Sequence, residues 1–419
     1  MNLSELFEKN SKVSAINSGQ GKKTFLKKKV FSILYVEEQK TIADLCIPIG
    51  VSIPTITRIM QELKDEGWVT ELGTGESRGG RRPVYFGLNP GARFIVGIEI
   101  TSKYLRINIF DLKNRPVAKT VEKETELKNT KVFLEVLKAE VEALISRQNI
   151  NKSKILGAGI SIPGLIDVKT GTSYSYPSLG EKPLYQVFEK LLGIPAYIEH
   201  DTKVMALGES WFGLAKNRSN VLCLNVGAGI GLGMIIQGQL YQGHSGFSGE
   251  FGHIQMEPNG ELCDCGKIGC LETVASGTSI VKKAKQKIEE GTNSIIRKAI
   301  EGETEKIRLP NIISAAKQGD QFAIELFEEA GVYLARGLAV LIHLLNPEMI
   351  ILGGDMAQAG NLLSDPIQQK LNKYTINRIR QDTVIHISEL GEQAVLFGTI
   401  PIVMTQILSQ EPKINNHNN

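Results

Sequence analysis

Between Gly249 and Glu272 the chain reads GEFGHIQMEPNGELCDCGKIGCLE. Cys263, Cys265 and Cys270 fall within eight positions, and His253 lies just upstream. Three thiolates and one imidazole make a closed tetrahedral donor set, the kind that holds a structural zinc ion. Gly266 and Gly269 let a short loop fold back so that the sulfurs converge. The bland alternative is three unrelated buried thiols, because free cysteine packs as a small apolar residue. Cysteine is sparse, five in 419 residues, so three together favour a metal. The spacing lacks the second Cys or His pair of a zinc finger. No leader segment points to an oxidising compartment, which disfavours a disulfide. Glu250 and Glu272 bracket the cluster, so the expected use of the metal is to pin a carboxylate-bearing loop over a ligand.

A glycine run supplies a second kind of chemistry. Gly227, Gly229, Gly231 and Gly233 alternate with Ala228, Ile230 and Leu232 just after an apolar strand. Bare main chain can come close to phosphate oxygens there, or to a neighbouring segment. A strand rather than a helix follows, so this is no dinucleotide fingerprint. A phosphate cradle and a tight hairpin with packed glycines both remain open. Gly353 and Gly354 follow Met349–Leu352, at a strand's carboxyl end, where α/β sheets place ligands.

The third chemistry is contact with nucleic acid. Residues 1–90 hold 13 basic and 10 acidic side chains, so they carry the whole net charge of +3. Within them, Phe25–Val36 reads as a helix, Thr41–Cys46 as a second with Thr41 as N-cap, and Ser52 caps a third that ends near Glu66. Ile56, Ile59, Met60 and Leu63 share one face of that third helix. Its first turn offers Ser52, Thr55, Thr57 and Arg58 outward for bases or phosphates. Two short strands follow, from Trp68-Val69 and over Val84–Leu88, joined by a glycine-rich tip with Arg78, Arg81 and Arg82. The order is that of a winged helix-turn-helix, with the third helix in a major groove and the arginine tip in a narrow minor groove. An ordinary helical hairpin with a solvated charged loop is the duller reading, and the order of the pieces weighs against it.

These groups need a scaffold. From Arg93 on, strands at Phe94–Ile100, Tyr104–Phe110, Val117–Lys123 and Ile155–Ile162 enclose a helix at Lys131–Ile145, and strands and helices then alternate to Val384–Ser388. The sequence shows no internal repeat. Residues 1–24 are expected to be a flexible lead-in, 25–90 the DNA-binding domain, 91–408 the body and 409–419 a polar tail. No run of eighteen apolar residues and no leader are found, so the expectation is a soluble, cytoplasmic protein without a membrane partner.

Assembled, the pieces resemble the ROK family of repressors and sugar kinases. The resemblance covers nearly all of residues 25–408. It rests on Val226-Gly-Ala-Gly-Ile-Gly-Leu-Gly through Gly243, Gly249, Gly252 and His253, followed by the cysteine cluster. It implies an α/β chain: a winged helix-turn-helix, then a two-lobed, actin-like (ribonuclease H-like) ATPase and sugar-kinase fold with a zinc loop. The head is similar to that of the repressor branch. Glu199-His200-Asp201 matches the place where family kinases carry Asn-Asp, and Asp201 would be the vestige of the base that takes the sugar hydroxyl proton. The resemblance also makes His200, Glu250, His253, Glu272 and Gly164 sugar-site residues, with His253 serving zinc through one nitrogen and sugar through the other.

One motif departs from the family. Kinases place an Asp-x-Gly-Gly-Thr-Lys type loop where this chain has Glu99-Ile100-Thr101-Ser102-Lys103. Side chains and β-branching crowd the approach of a triphosphate, and an ATP-Mg²⁺ cofactor is not expected. Gly227, Gly229, Gly231, Gly353 and Gly354 then read as remnants of a nucleotide site. The expected function is a sugar-responsive DNA-binding regulator, a repressor, acting as a homodimer or homotetramer on a palindromic operator, with the body as sensor. An active ATP-dependent sugar kinase carrying an added head is the alternative.

Overall fold

The computed structural model describes residues 19–76, 82–127, 130–176, 179 and 182–409. They fall into two compact units, one holding the chain up to Gly164 with Thr170–Glu199 and the residues after Gly398, the other Leu165–Lys169 and His200–Gly398.

The first unit opens with α1 (Gly19–Glu37), α2 (Ile42–Ile49) and α3 (Ile53–Asp65). The helix already runs through Gly19–Thr24, so the expectation of a flexible lead-in to residue 24 is corrected there. Thr41 caps α2 as expected: its hydroxyl accepts from the Asp44 N–H and Asp44 reaches back, a full capping box. Gly50 ends α2 in the left-handed region (φ 75°). The two helices α2 and α3 are bent by 113°, within the range of a helix-turn-helix. Ile56, Ile59, Met60 and Leu63 are buried, as their spacing predicts. Ser52 holds the N-cap position of α3 but makes no side-chain cap bond, which corrects its expected role. Antiparallel β1 (Val69–Thr74) and β2 (Val84–Leu88) form the wing. Arg82 is exposed; Arg78 and Arg81 lie outside the described residues.

Only Asn89–Arg93 separate the wing from the next sheet. Arg93 stacks on Trp68 of the head at 4.2 Å, Leu112 donates to the Pro90 carbonyl, and the Tyr35 hydroxyl is hydrogen-bonded to Asn114. The sheet comprises β3 (Phe94–Ile100), β4 (Tyr104–Asp111), β5 (Val121–Glu124), β6 (Ile155–Ile162) and β7 (Ala196–His200) in the order β5-β4-β3-β6-β7. Helices α4 (Thr130–Arg147) and α5 (Leu184–Leu192) lie along this unit's chain. Phe133, Leu137 and Phe188 are their fully buried anchors.

The second unit starts with α6 (Asp201–Phe212) and holds a sheet of β8 (Val221–Val226), β9 (Ile230–Ile236), β10 (Gln239–Leu240), β11 (Met349–Gly353) and β12 (Val384–Ile387). Its order is β10-β9-β8-β11-β12, with β8 antiparallel to β9 and parallel to β11. That is the topology of the first sheet, where β3 is antiparallel to β4 and parallel to β6. Helices α7 (Leu271–Ala275), α8 (Gly277–Glu289), α9 (Leu309–Lys317), α10 (Gln321–Leu345) and α11 (Asn361–Tyr374) cover it with an apolar core around Phe327, Leu334, Leu338 and Leu363. The last described element is α12 (Gln393–Ser409), a helix the sequence reading did not place. Among the described residues no single helix is long and apolar enough to cross a membrane.

Candidate functional site

Strand β9 is the anchor from which the second unit's polar groups hang. At its start the Ile230 N–H donates to Glu272 Oε2 at 2.8 Å. Glu272 stands in the first turn of α7, and its carboxylate fills the space a side chain at Gly229 would need. One step on, a side chain at Gly231 would collide with the Thr202 hydroxyl. Thr202 donates its backbone and side-chain protons to Asp201 Oδ1, the latter at 3.0 Å, and so fixes the Asp201 carboxylate at the head of α6. His200 Nδ1 lies 3.3 Å from the same oxygen. Leu232 then donates to the Gly249 carbonyl at 3.0 Å, and a side chain at Gly252 would strike the Ile230 carbonyl. The turn carrying Glu250 and His253 is thereby laid along the strand, and His253 Nε2 faces Glu250 Oε2 at 3.9 Å. Glu250 and His253 share a groove with Gln255 and Lys267.

The same backbone spacing explains the glycine run. Gly231 and Gly233 are small because Thr202 and Ala206 of α6 pack on them, and Gly353 is small because Met205 does. Gly354 adopts φ 81° against Asn225 and Val226. These positions therefore have a packing duty of their own. At Gly227 a side chain would meet nothing closer than 3.7 Å, so the turn itself is open.

Below that turn lies the cysteine loop. The Cys263 N–H donates to Lys267 at 2.7 Å and Gly266 back to Cys263 at 2.9 Å, closing a tight turn. Gly266 and Gly269 take the positive φ expected of them, 85° and 73°. His253, Cys263, Cys265 and Cys270 bring their donor atoms within 4.8 Å of one another. Cys263 Sγ stands 3.6 Å from His253 Nδ1, and the Cys265 and Cys270 sulfurs are 3.6 Å apart. Burial, with the thiols of Cys265 and Cys263 beside it, pushes the Cys270 thiol up to about 12. Burial also raises Cys263. At Cys265 burial is outweighed by the Lys267 N–H and the neighbouring thiols, and that thiol is lowered. Thiols crowded in this way resist losing several protons together, and a cation among them reverses the balance.

In the first unit the hairpin β3–β4 turns at Thr101–Tyr104. The Thr101 hydroxyl accepts from the Lys103 N–H at 3.2 Å and the Tyr104 N–H at 3.0 Å. The Thr101 N–H donates to the Tyr104 carbonyl, so three of the turn's N–H groups are bonded within it. Glu99 is buried with Arg106 opposite it in the ladder, Nη1 to Oε2 3.8 Å, and Arg106 also binds Glu122 at 2.6 Å. Burial works against the Arg106 charge, but Glu122 and Glu99 outweigh it and raise its pKa. Gly164 belongs to this unit, at φ 86° beside Ser175. The structure thus brings together Asp201, His200, Glu250, His253 and Glu272 around one strand.

A family model described as ROK matches residues 95–406. The chain belongs to the ROK family. It is 30% identical to the xylose repressor of Caldicellulosiruptor bescii, over 85% of this chain and 89% of that protein. A solved ROK-family transcriptional regulator, a homologue of the E. coli MLC protein, superposes with TM-score 0.74 at 26% identity, covering 93% of this chain and 98% of that one. A ROK-family glucokinase from Streptomyces griseus, in complex with glucose and AMPPNP, gives TM-score 0.66 at 29% identity and covers 73% of this chain but 97% of the kinase. The kinase is nearly used up while a quarter of this chain remains. The regulators extend over that remainder, so a DNA-binding regulatory role is favoured over that of a kinase alone.

Sequence reasoning passed over Thr202, which orients Asp201, and Lys203, whose buried ammonium holds the Gly246 carbonyl. Their signal was faint: both merely follow Asp201 in the chain.

Proposed function

We propose that the chain is a sugar-responsive transcriptional repressor whose kinase-like body senses a sugar and has lost phosphoryl transfer. The observation that carries this reading is the turn at Thr101. Phosphoryl transfer is almost entirely a matter of positioning. A turn with its Thr101, Lys103 and Tyr104 N–H groups already bonded, and with side chains where a glycine loop would bare its backbone, offers a triphosphate little to hold.

The head is taken to run from α1 through residue 90 and the body from 91 to 408. On the body, Asp201, His200, Glu250, His253 and Glu272 are the proposed sugar contacts. The metal is proposed to be zinc on His253, Cys263, Cys265 and Cys270. Zn–S bonds of about 2.3 Å place tetrahedral ligands about 3.8 Å apart, which agrees with the two 3.6 Å separations. Zinc there would supply rigidity; His253 would hold it through Nδ1, leaving Nε2 toward Glu250. Two heads in a homodimer or tetramer read a palindromic operator, through Ser52, Thr55, Thr57 and Arg58 in the major groove and Arg78, Arg81 and Arg82 at the wing. A sugar shifts DNA binding only by its difference in affinity for two conformations, and release is the expected sign.

Arg81→Ala combined with Arg82→Ala is expected to weaken binding to duplex DNA and flatten its salt dependence. Calorimetric titration with monosaccharides, acetylated amino sugars and phosphorylated sugars should find one that binds and changes DNA affinity. The second reading, a working kinase with an added head, draws on the fixed Asp201 carboxylate and the open turn at Gly227. Steady release of ADP from ATP-Mg²⁺ with any hexose would establish it and overturn the first.

A further inference from the structure

The outward face of α3 is less polar than its sequence suggests. The Ser52 and Thr55 hydroxyls are hydrogen-bonded to each other at 3.0 Å. The Thr57 hydroxyl donates its one proton to the Ile53 carbonyl at 2.9 Å. Thr57 is exposed, so with its oxygen turned back onto the helix the methyl group is what it presents. Gln61, one turn further, is bound to Asp65 at 2.8 Å. Ile53, the first residue of α3, is 58% exposed. A single exposed isoleucine means little. Ile53 and Thr57 are four residues apart, however, and so share a face. That face lies on the first turn of the second helix of a helix-turn-helix, flanked by the exposed guanidinium of Arg58. In the major groove the one apolar feature of a base edge is the thymine 5-methyl. The occupant is DNA rather than another protein because the head carries the whole positive excess of the chain.

We infer that Ile53 and the Thr57 methyl read a thymine methyl in each operator half-site, making them specificity-determining residues. The inference rests on the DNA-binding reading above. Arg58 is left to bind phosphate or guanine beside them.

The test uses the full chain and a duplex operator obtained by selection from random DNA. Each thymine of a half-site is replaced in turn by deoxyuridine, which removes only the methyl. At one or two positions the wild type should lose about 3–5-fold in affinity, the value of one buried methyl. Ile53→Ala and Thr57→Ser should bind the thymine operator more weakly and lose that sensitivity to deoxyuridine. Both side chains are exposed, and an unchanged melting temperature confirms that the variants are folded. Equal deoxyuridine losses in the wild type and both variants overturn the inference and leave the DNA-binding reading standing. Failure of the wild type to enrich any sequence overturns both.

Discussion

The two sheets share one strand order, yet their first hairpins have opposite fates. At β8–β9 the turn is Gly227-Ala228-Gly229, braced from outside by Glu272 and opened by residues without side chains. At β3–β4 the turn is Thr101-Ser102-Lys103, braced from inside by its own hydroxyl. The first leaves its turn free of bulky side chains but ties Gly227 to Gly229 and Gly277, and depends on a distant carboxylate for the Ile230 N–H. The second is largely self-sufficient, with its Thr101, Lys103 and Tyr104 N–H groups bonded within the turn. Under the proposed function, this is how hydrogen bonding would retire a turn without damage to the strands that carry it.

The largest test of this contrast removes the outside brace. If Glu272 is held in place by the metal loop, Cys263→Ala or Cys270→Ser should lose the bound metal, measured by elemental analysis. The second unit should then lose about 3 kcal/mol or more, a fall of roughly 6–12 °C in its melting temperature. A metal-free variant that melts like the wild type would show that the glycine turn needs no such support. Next in size, Gly231→Ala pushes a methyl into Thr202 and should cost about 1–3 kcal/mol in denaturant unfolding, whereas Ser102→Ala, in an exposed position, should cost under about 0.5. Equal costs would show that the packing of Thr202 on β9 is not what requires glycine at position 231.

Smaller still is the effect of Thr101→Val, which deprives two backbone donors of their acceptor for about 0.5–1 kcal/mol. Its informative companion is Thr101→Gly with Ser102→Gly. Equilibrium dialysis with a non-hydrolysable ATP analogue should show tighter binding to the double variant than to the wild type. No gain would mean that the turn is not what keeps nucleotide out.

The smallest effect concerns buried acids. Glu99 of the first sheet lies beside Arg106, whereas Glu209 of α6 is held by the Ser388 hydroxyl and the Leu214 N–H. Burial raises the Glu209 carboxyl above its ordinary range, those two bonds only partly offsetting it. The folded chain keeps this proton to a higher pH than the unfolded chain. Its contribution is therefore fully present below the unfolded value of about 4.3 and is lost as pH rises through the folded one. Glu209→Gln should flatten that decline in melting curves taken across pH, and a slope unchanged from the wild type would assign it elsewhere.

Much of this was legible in the residues. Apolar spacing located α3 and its buried face, the Thr41–Asp44 pair announced a helix start, and three cysteines around two glycines announced the His/Cys cluster. What escaped were features set by tertiary partners. Ser52 has the type and position of a cap, but Thr55 competes for its hydroxyl. Thr101 looked obstructive because it is β-branched, whereas its oxygen is what closes the turn. The α12 segment is apolar on all sides with Pro401 inside it, so no periodicity marked it. The repeated topology left no trace in sequence, because strand order constrains only which residues are buried, and many residues satisfy that.

The junction at Asn89–Arg93 bears on how the molecule measures DNA. With Trp68 clamped under Arg93 and Tyr35 tied to Asn114, the reading head is bolted to its sheet like a blade to a handle. In the proposed dimer, blades mounted this way would act as a fixed-gauge caliper, and inserting half a turn of duplex between the half-sites should leave one of them out of reach.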